Sequence, residues 1–440
     1  MKARFLHIAD CHLGYRQYNN SVRYDDFAKA FLYLINVAIQ KKVDFVILAG
    51  DLFQKRAIDA LTLNQAMVGL ERLQSADIPC IAVEGNHELA YYEDVIGWMR
   101  FLAHRKLLVL LDSEFHDGTP QLTPYDGRNG AYYDPFPWLR IYGISYRGAS
   151  TARAIAGYAN SMGLLDHEQI HYRIMIAHTG IEGVLSGESG GLSHRQVSVL
   201  RPHIDYFALG HIHKPFEFDH WIYNPGSPET CSMIEASWPE RGYYLVEIDT
   251  DESGQSVESI DKSGLPARHT STLHSNPRRS FYRFRIQVDL HESPEALYDY
   301  CRSYIERRAR DLNIDQQDEV DAPVVDLQLT GVMAFDRSDL DLSILIEIVE
   351  DLFQPLHIQV RNLSQPTDFA IEQLEGISRP ELERKVLSEL FERDARFREQ
   401  SQDWTQLALS LKHLALSGGT VDIIREELAE RMEKIAPVKC

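Results

Sequence analysis

Five short apolar runs in the first half of this 440-residue chain each end in side chains able to bind a metal ion. "ARFLHIA" leads to Asp10 and His12, "VDFVILA" to Asp51, and "IPCIAVE" to Asn86 and His87; "YRIMIA" ends at His178, and "YFAL" at His211 and His213. A histidine pair alone says little, because an imidazole in a loop is often just a satisfied polar group. A chance pair, however, predicts nothing about other strand ends. Here four more runs finish in a carboxylate, amide or imidazole beside a short loop or a glycine turn (Gly50, Gly85, Gly180). Carboxylate oxygen, amide oxygen and imidazole nitrogen suit a borderline divalent cation such as Mn²⁺, Fe²⁺ or Zn²⁺ more than a thiolate-seeking metal. Seven such ligands are too many for one ion and right for two that share a carboxylate. A pair of ions can activate water near neutral pH and stabilise both the entering and leaving oxygens of an in-line displacement at phosphorus.

Runs that are apolar throughout suit central strands covered on both faces. Between the first two lies "YDDFAKAFLYLINVAIQKK", with Phe27, Phe31, Leu34 and Ile35 at helical spacing; "ALTLNQAMVGLERLQSA" follows the second in the same way. This β-α-β-α-β opening predicts a layered α/β domain over residues 1–250, with the strand ends as the site edge. "WLRIYGISY" and "RGYYLVEIDT" read as further strands of a mixed or second sheet. Residues 251–280, rich in Ser, Gly, Asp, His and Pro, read as a linker with one short strand at Val257 to Ile260. A smaller α+β cap is expected over 281–365. It opens on "FYRFRIQVDL", whose Tyr282, Phe284, Ile286 and Val288 alternate with Arg283, Arg285 and Gln287. Residues 366–440 read as a helical tail, with Ser378 and Glu381 in a capping box and Thr420 capping a last helix to about Lys434.

Composition bounds the rest. The chain is 44% hydrophobic and 25% charged, as in a soluble globular protein. Apolar runs such as "LLVLL" fall far short of the ~18 residues of a spanning helix, so no membrane role is expected. Asp10 and His12 interrupt any secretion-signal core. Five scattered cysteines without CxxC argue for a reducing compartment, the cytoplasm, and against a structural zinc site. A formal net charge of -20 opposes nucleic-acid binding by charge alone; bound cations or a partner would have to offset it locally.

Asp-x-His, Gly-Asp, Gly-Asn-His-Glu, His and Gly-His-x-His, in this order, resemble the calcineurin-like metallophosphoesterase superfamily. Within it, "HIADCHLG", "ILAGDLF", "GNHE", "DYFALGHIH" and "YNPGSPE" are similar to the SbcD nuclease family, bacterial relatives of the meiotic-recombination-eleven DNA repair nuclease. The motifs cover residues 1 to about 230, and the cap and tail resemble the family in layout only. The resemblance implies a layered α/β/β/α metallophosphoesterase domain and two divalent ions, with Mn²⁺ the expected metal. Asp10, His12 and His213 would hold the first ion, Asn86, His178 and His211 the second, and Asp51 would bridge them. His87 would contact the scissile phosphate and protonate the leaving oxygen. The implied activity is exonuclease on double-stranded DNA ends and endonuclease on single-stranded or hairpin DNA. It would act in double-strand-break processing with an SbcC-type, SMC-like coiled-coil ATPase, as a homodimer. There is one departure: many family members carry a second histidine directly after Asp-Leu-Phe, where this chain has Gln54, and the substrate-orienting role of that position is in question.

No Walker-type motif is present, so any ATP dependence must come from a partner. The tail is expected to bind that partner, and Arg278, Arg279, Arg283 and Arg285 are the candidate DNA contacts of the cap. The competing reading is a stand-alone metallophosphatase or cyclic-nucleotide phosphodiesterase with the same ions. Such an enzyme has no need of the cap or the tail.

Overall fold

Strand Lys2–Ile8 sends Phe5 into one core cluster and Leu6 and Ile8 into another, so it is covered on both faces as its unbroken apolar pattern requires. The computed structural model describes residues 1–89, 96–165, 169–185, 191–250, 268–314, 322–366, 378–393, 397–417 and 420–435. They divide by contacts into two compact units, 1–364 and 365–440.

Two six-stranded sheets dominate the first unit. In one, Lys2–Ile8, Phe45–Leu48, Cys80–Ala82 and Val109–Leu110 run parallel in that order, and Gly242–Asp249 pairs antiparallel on the far side of the first. In the other, Leu139–Ile144, Tyr172–His178, Tyr206–Gly210 and Ile222–Asn224 run parallel, flanked by antiparallel Tyr132–Phe136 and Phe216–Phe218. The sheets face each other across Phe5, Phe45, Ile47 and Ile81 on one side and Ile141, Ile174, Ile176 and Tyr206 on the other. Helices Ser21–Lys41 and Ala60–Ser75 cover the first sheet through Phe31, Leu34 and Leu70. Thr151–Met162 covers the second through Ile155 and Tyr158. The layers are α/β/β/α, the architecture expected from the sequence.

One stretch differs from expectation. Residues 269–275, read as linker, form a strand that pairs antiparallel with Gly242–Asp249, from Ile248 opposite His269 to Gly242 opposite Ser275. "HTSTLHS" lacks an apolar alternation because it is the last strand of its sheet and needs to satisfy only one ladder. The expected strand at Val257 to Ile260 lies outside the described residues. The new strand also ties the sheets together: His269 sits between the Tyr172 hydroxyl (2.7 Å) and the Tyr223 hydroxyl (3.0 Å) of the opposite sheet.

Burial there lowers the pKa of His269 to about 3, and burial likewise lowers that of His7 to about 3. Between pH 6.5 and 3 the unfolded chain therefore takes up protons that the folded chain refuses. Stability falls as the pH falls through that window, by up to ~1.4 kcal/mol per pH unit for each group. Guanidinium unfolding of His269→Gln should show a shallower loss between pH 6.5 and 4.5 than the parent; identical slopes would refute the assignment.

In the region expected as the cap, strands Phe281–Gln287, Val324–Thr330 and His357–Asn362 form a parallel sheet, with helices Pro294–Asp311 and Leu342–Phe353 packed through Leu297, Ile305, Leu345 and Phe353 against Phe284, Ile286 and Leu327. Within the second unit, helices Arg379–Arg393, Ser401–Leu416 and Val421–Ile435 pack in sequence. Phe391, Phe397 and Trp404 form an aromatic cluster there, and the Ser378 hydroxyl and N–H donate to Glu381 at 2.6 and 3.0 Å. No helix among the described residues is long and apolar enough to cross a membrane.

Candidate metal centre

The seven expected ligands converge at one edge of the facing sheets. Backbone pairing runs past the strand ends to bring them there: the Asp10 N–H donates to the Gly50 carbonyl (3.1 Å) and the His12 N–H to the Asp51 carbonyl (3.0 Å). Across the sheets, the His211 N–H donates to both Asp10 carboxylate oxygens at 3.0 Å. Two glycines make this closeness possible. A Cβ on Gly85 would lie 2.0 Å from Asp51 Oδ1, and one on Gly50, whose φ is +87°, would lie 2.4 Å from His178 Nδ1. Asp10, His12, Asp51 and His211 themselves have φ of 54°, 47°, 51° and 86°. Left-handed backbone costs a non-glycine residue of order 1 kcal/mol or more and collects where function requires it.

The donor atoms stand at the separations that ligands of a shared ion take. Metal–ligand bonds of about 2.0–2.2 Å at right angles put neighbouring donors roughly 3 Å apart. Asn86 Oδ1 lies 3.1 Å from His178 Nε2 and 3.0 Å from His211 Nδ1. His12 Nε2 lies 3.0 Å from His213 Nε2. Asp51 Oδ2 sits between the two sets, 3.2 Å from His178 Nε2 and 3.9 Å from His12 Nε2. Hydrogen bonds on the far side of the rings fix which nitrogen faces inward: His178 Nδ1–H donates to the Ala49 carbonyl (2.7 Å) and His213 Nδ1–H to Glu235 (2.8 Å). With Nδ1–H so committed, the inward Nε2 of His178 faces acceptor oxygens either as an N–H donor or as a lone pair toward a cation, and the oxygen and nitrogen donors gathered here fit a cation.

The electrostatics agree. Burial alone would raise the Asp51 carboxyl, but the adjoining His178 imidazole holds it below the ordinary carboxylate range. Burial would lower His178, yet Asp51 and Asp10 lift it to about 9. A proton on His178 satisfies one contact; a divalent ion satisfies all of them. Burial, then the neighbouring His213, takes His12 down to about 3, so its ring nitrogens stay neutral and available as ligands.

His87 stands beside this group, its Nε2 3.9 Å from Asp51 Oδ2 and its side chain 34% exposed. Its Nδ1–H donates to the carbonyl of Gln54 at 2.7 Å. The residue that departs from the family pattern thus orients His87 through its backbone, which any side chain at position 54 supplies.

Several residues here were not singled out from sequence. Glu88, buried directly after His87, accepts the N–H groups of Asp51 (3.1 Å), Phe53 (2.9 Å) and Gly85 (2.9 Å), and so clamps two ligand loops together. Burial and then the Asp51 charge raise it to about 8. Glu235 accepts from His213, Ser227, Ser232 and the Cys231 N–H. Arg23, fully buried, donates to Gln17, Asp26, Glu229 and the Thr230 carbonyl, and Arg241 joins Thr230 to Glu235. The Glu in "GNHE" was a local signal for Glu88. No local pattern marks Glu235 or Arg23: Arg23 meets Glu229 and the Thr230 carbonyl across 206 and 207 residues, and the Glu235 partners lie in the loop before it.

The cap arginines divide. Arg279 is buried, its guanidinium on Asp26 (2.7 and 3.1 Å) and on the Ala322 carbonyl (2.6 Å). It ties the start of the expected cap to helix Ser21–Lys41. Arg278 is half-buried and turned to the carbonyls of Arg241 and Pro239. Arg283 pairs with the buried Asp326 (2.8 Å), which Arg361 shares. Arg285 is exposed, in a 3.3 Å contact with Gln328.

Residues 3–215 match the calcineurin-like phosphoesterase family. The chain is 32% identical over 245 residues to a DNA double-strand break repair protein Mre11 of Archaeoglobus fulgidus, covering 53% of this chain and 52% of that protein. It is 27% identical over 307 residues to the like-named protein of Sulfurisphaera tokodaii, covering 68% and 72%. With that of Methanopyrus kandleri it shares 24% over 363 residues, 75% of each. The chain thus spans about half the length of the Archaeoglobus relative.

Proposed function

The first half of this chain is a calcineurin-like phosphoesterase domain, and from that premise we propose that the protein hydrolyses DNA phosphodiester bonds as the nuclease subunit of a break-repair complex. The observation that carries hydrolysis is the meeting of Asp10, His12, Asp51, Asn86, His178, His211 and His213 at donor spacing. That the relatives are DNA double-strand break repair proteins supports DNA as the substrate.

Asp10, His12 and His213 would hold one divalent ion, Asn86, His178 and His211 a second, and Asp51 would lie between them. Bound there, two ions supply an activated water and positive charge against the phosphate; manganese is the metal we expect. Glu235 and the Ala49 carbonyl keep the lone pairs of His213 and His178 turned inward. With Nδ1 committed to the Gln54 carbonyl, His87 has only Nε2 to offer. It takes a proton from solvent there and passes it to the leaving oxygen.

The bound cations offset the net charge of -20 where the backbone must approach. Arg285, and Arg283 once Asp326 is shared out, are the cap groups we assign to phosphate contact. A homodimer acting in the cytoplasm, with both exonuclease and endonuclease action, completes the reading. The partner is an SMC-like coiled-coil ATPase docking on the tail, where Leu390, Leu416, Val421 and Ile423 are exposed apolar residues.

The deciding experiment is cleavage of linear and hairpin DNA with Mn²⁺, with and without the ATPase. Hydrolysis of bis-p-nitrophenyl phosphate with DNA left intact under both conditions would leave a small-substrate phosphodiesterase instead. His87→Ala should keep two ions by elemental analysis and lose about a hundredfold in rate, the lower end of general-acid contributions, since water reaches this part-exposed position. Metal loss in that variant would make His87 a ligand. Removing residues 378–440 should abolish co-purification with the ATPase at unchanged metal content, and a surviving complex would place the docking surface elsewhere.

A further inference from the structure

We propose that the Cys231 thiol is an additional donor to the first ion, so that this position binds thiophilic cations more tightly than its oxygen and imidazole ligands alone would. The inference rests on the two-ion reading above. Cys231 Sγ and a ring nitrogen each from His12 and His213 lie within 4.8 Å of one another. His12 is 1% exposed, and its Nε2 lies 3.0 Å from His213 Nε2. The sequence offered a donor set without sulfur; folding brings one in.

The thiol's position is built rather than incidental. The Cys231 N–H donates to Glu235 Oε2 at 2.9 Å, while the other oxygen of that carboxylate takes His213 Nδ1–H at 2.8 Å. One buried carboxylate thus holds both the Cys231 backbone and the His213 imidazole. On its other side the Cys231 carbonyl accepts from Gln17 Nε2 at 2.9 Å, and Gln17 is itself held by Arg23. Cys11, Cys80 and Cys301 sit instead within apolar clusters.

Ligation replaces the S–H bond with a sulfur–metal bond and releases one proton to solvent. Thiolate is a soft donor, favouring Zn²⁺, Cd²⁺ and Co²⁺ over Mn²⁺.

The test uses the full chain, reduced, stripped of metal and loaded with Co²⁺. The parent should bind two cobalt ions and show a near-ultraviolet sulfur-to-cobalt charge-transfer band. Cys231→Ser should bind two and lose the band. Cd²⁺ affinity, read by competition, should fall at least about tenfold in the variant while Mn²⁺ affinity changes by less than about threefold. Two cobalt ions without a sulfur band in the parent, or a band that persists in Cys231→Ser, would overturn the proposal and leave the two-ion reading standing. Fewer than two cobalt ions in the parent would overturn that reading itself.

Discussion

Asp51→Asn should lower phosphodiester hydrolysis by at least about a thousandfold and leave the chain with fewer than two bound manganese ions. Asp51 Oδ2 lies near both donor sets, 3.2 Å from His178 Nε2 and 3.9 Å from His12 Nε2. An amide at this position is nearly the same size, so the packing around Gly85 survives. What goes is the negative charge that draws two cations together. Ions at such a site supply several kcal/mol of transition-state stabilisation, and each 1.36 kcal/mol is a factor of ten in rate. The measurement pairs turnover of a chromogenic diester with elemental analysis of the same preparation. Two tightly held ions in the variant would remove Asp51 from the bridging position, whatever happened to the rate.

Arg23→Met should cost roughly 3–5 kcal/mol of stability, the usual penalty for removing one partner of a buried ion pair. Arg23 is fully buried and joins Asp26, at 2.7 Å, to Glu229, at 3.1 Å. Asp26 keeps Arg279 after the substitution, but Glu229 is left buried without its guanidinium. Because Arg23 also holds Gln17 and the Thr230 carbonyl, the loop leading to Cys231 and Glu235 loosens with it. Manganese affinity should therefore fall about tenfold, as expected for groups that orient metal ligands from behind. Adding Glu229→Gln should recover part of the stability, since the uncompensated charge goes. Denaturant unfolding of the three proteins checks the first claim and a manganese titration the second. A loss below about 1 kcal/mol in Arg23→Met would show that the network is incidental.

Both predictions draw on contacts of different range, and that difference separates what could be read from the chain from what could not. The apolar runs ending at Asp10, Asp51, Asn86, His178 and His211 were legible because strand burial, glycine turns and ligand chemistry are properties of a few adjacent residues. The α/β layering followed from the same local periodicity, as did the alternation of Phe284, Ile286 and Val288 in the cap.

Other roles depend on groups distant in the chain. Where the Arg279 guanidinium sits depends on Asp26, 253 residues earlier. Strand His269–Ser275 carries no apolar pattern of its own and exists because Gly242–Asp249 offers an open ladder. Gln54 departed from the family by side chain, yet it is the backbone carbonyl that touches His87.

By itself, then, the sequence determined which chemical groups the chain could bring to a site, and that strand ends would carry them. The tertiary structure alone decided which groups meet: His211 with Asp10 across 201 residues, Cys231 with His12, Glu235 behind His213. The reason is physical. Strand and turn formation are decided by neighbours along the chain. The pairing of buried charges and lone pairs is decided by which distant partner can offset the cost of taking each out of water.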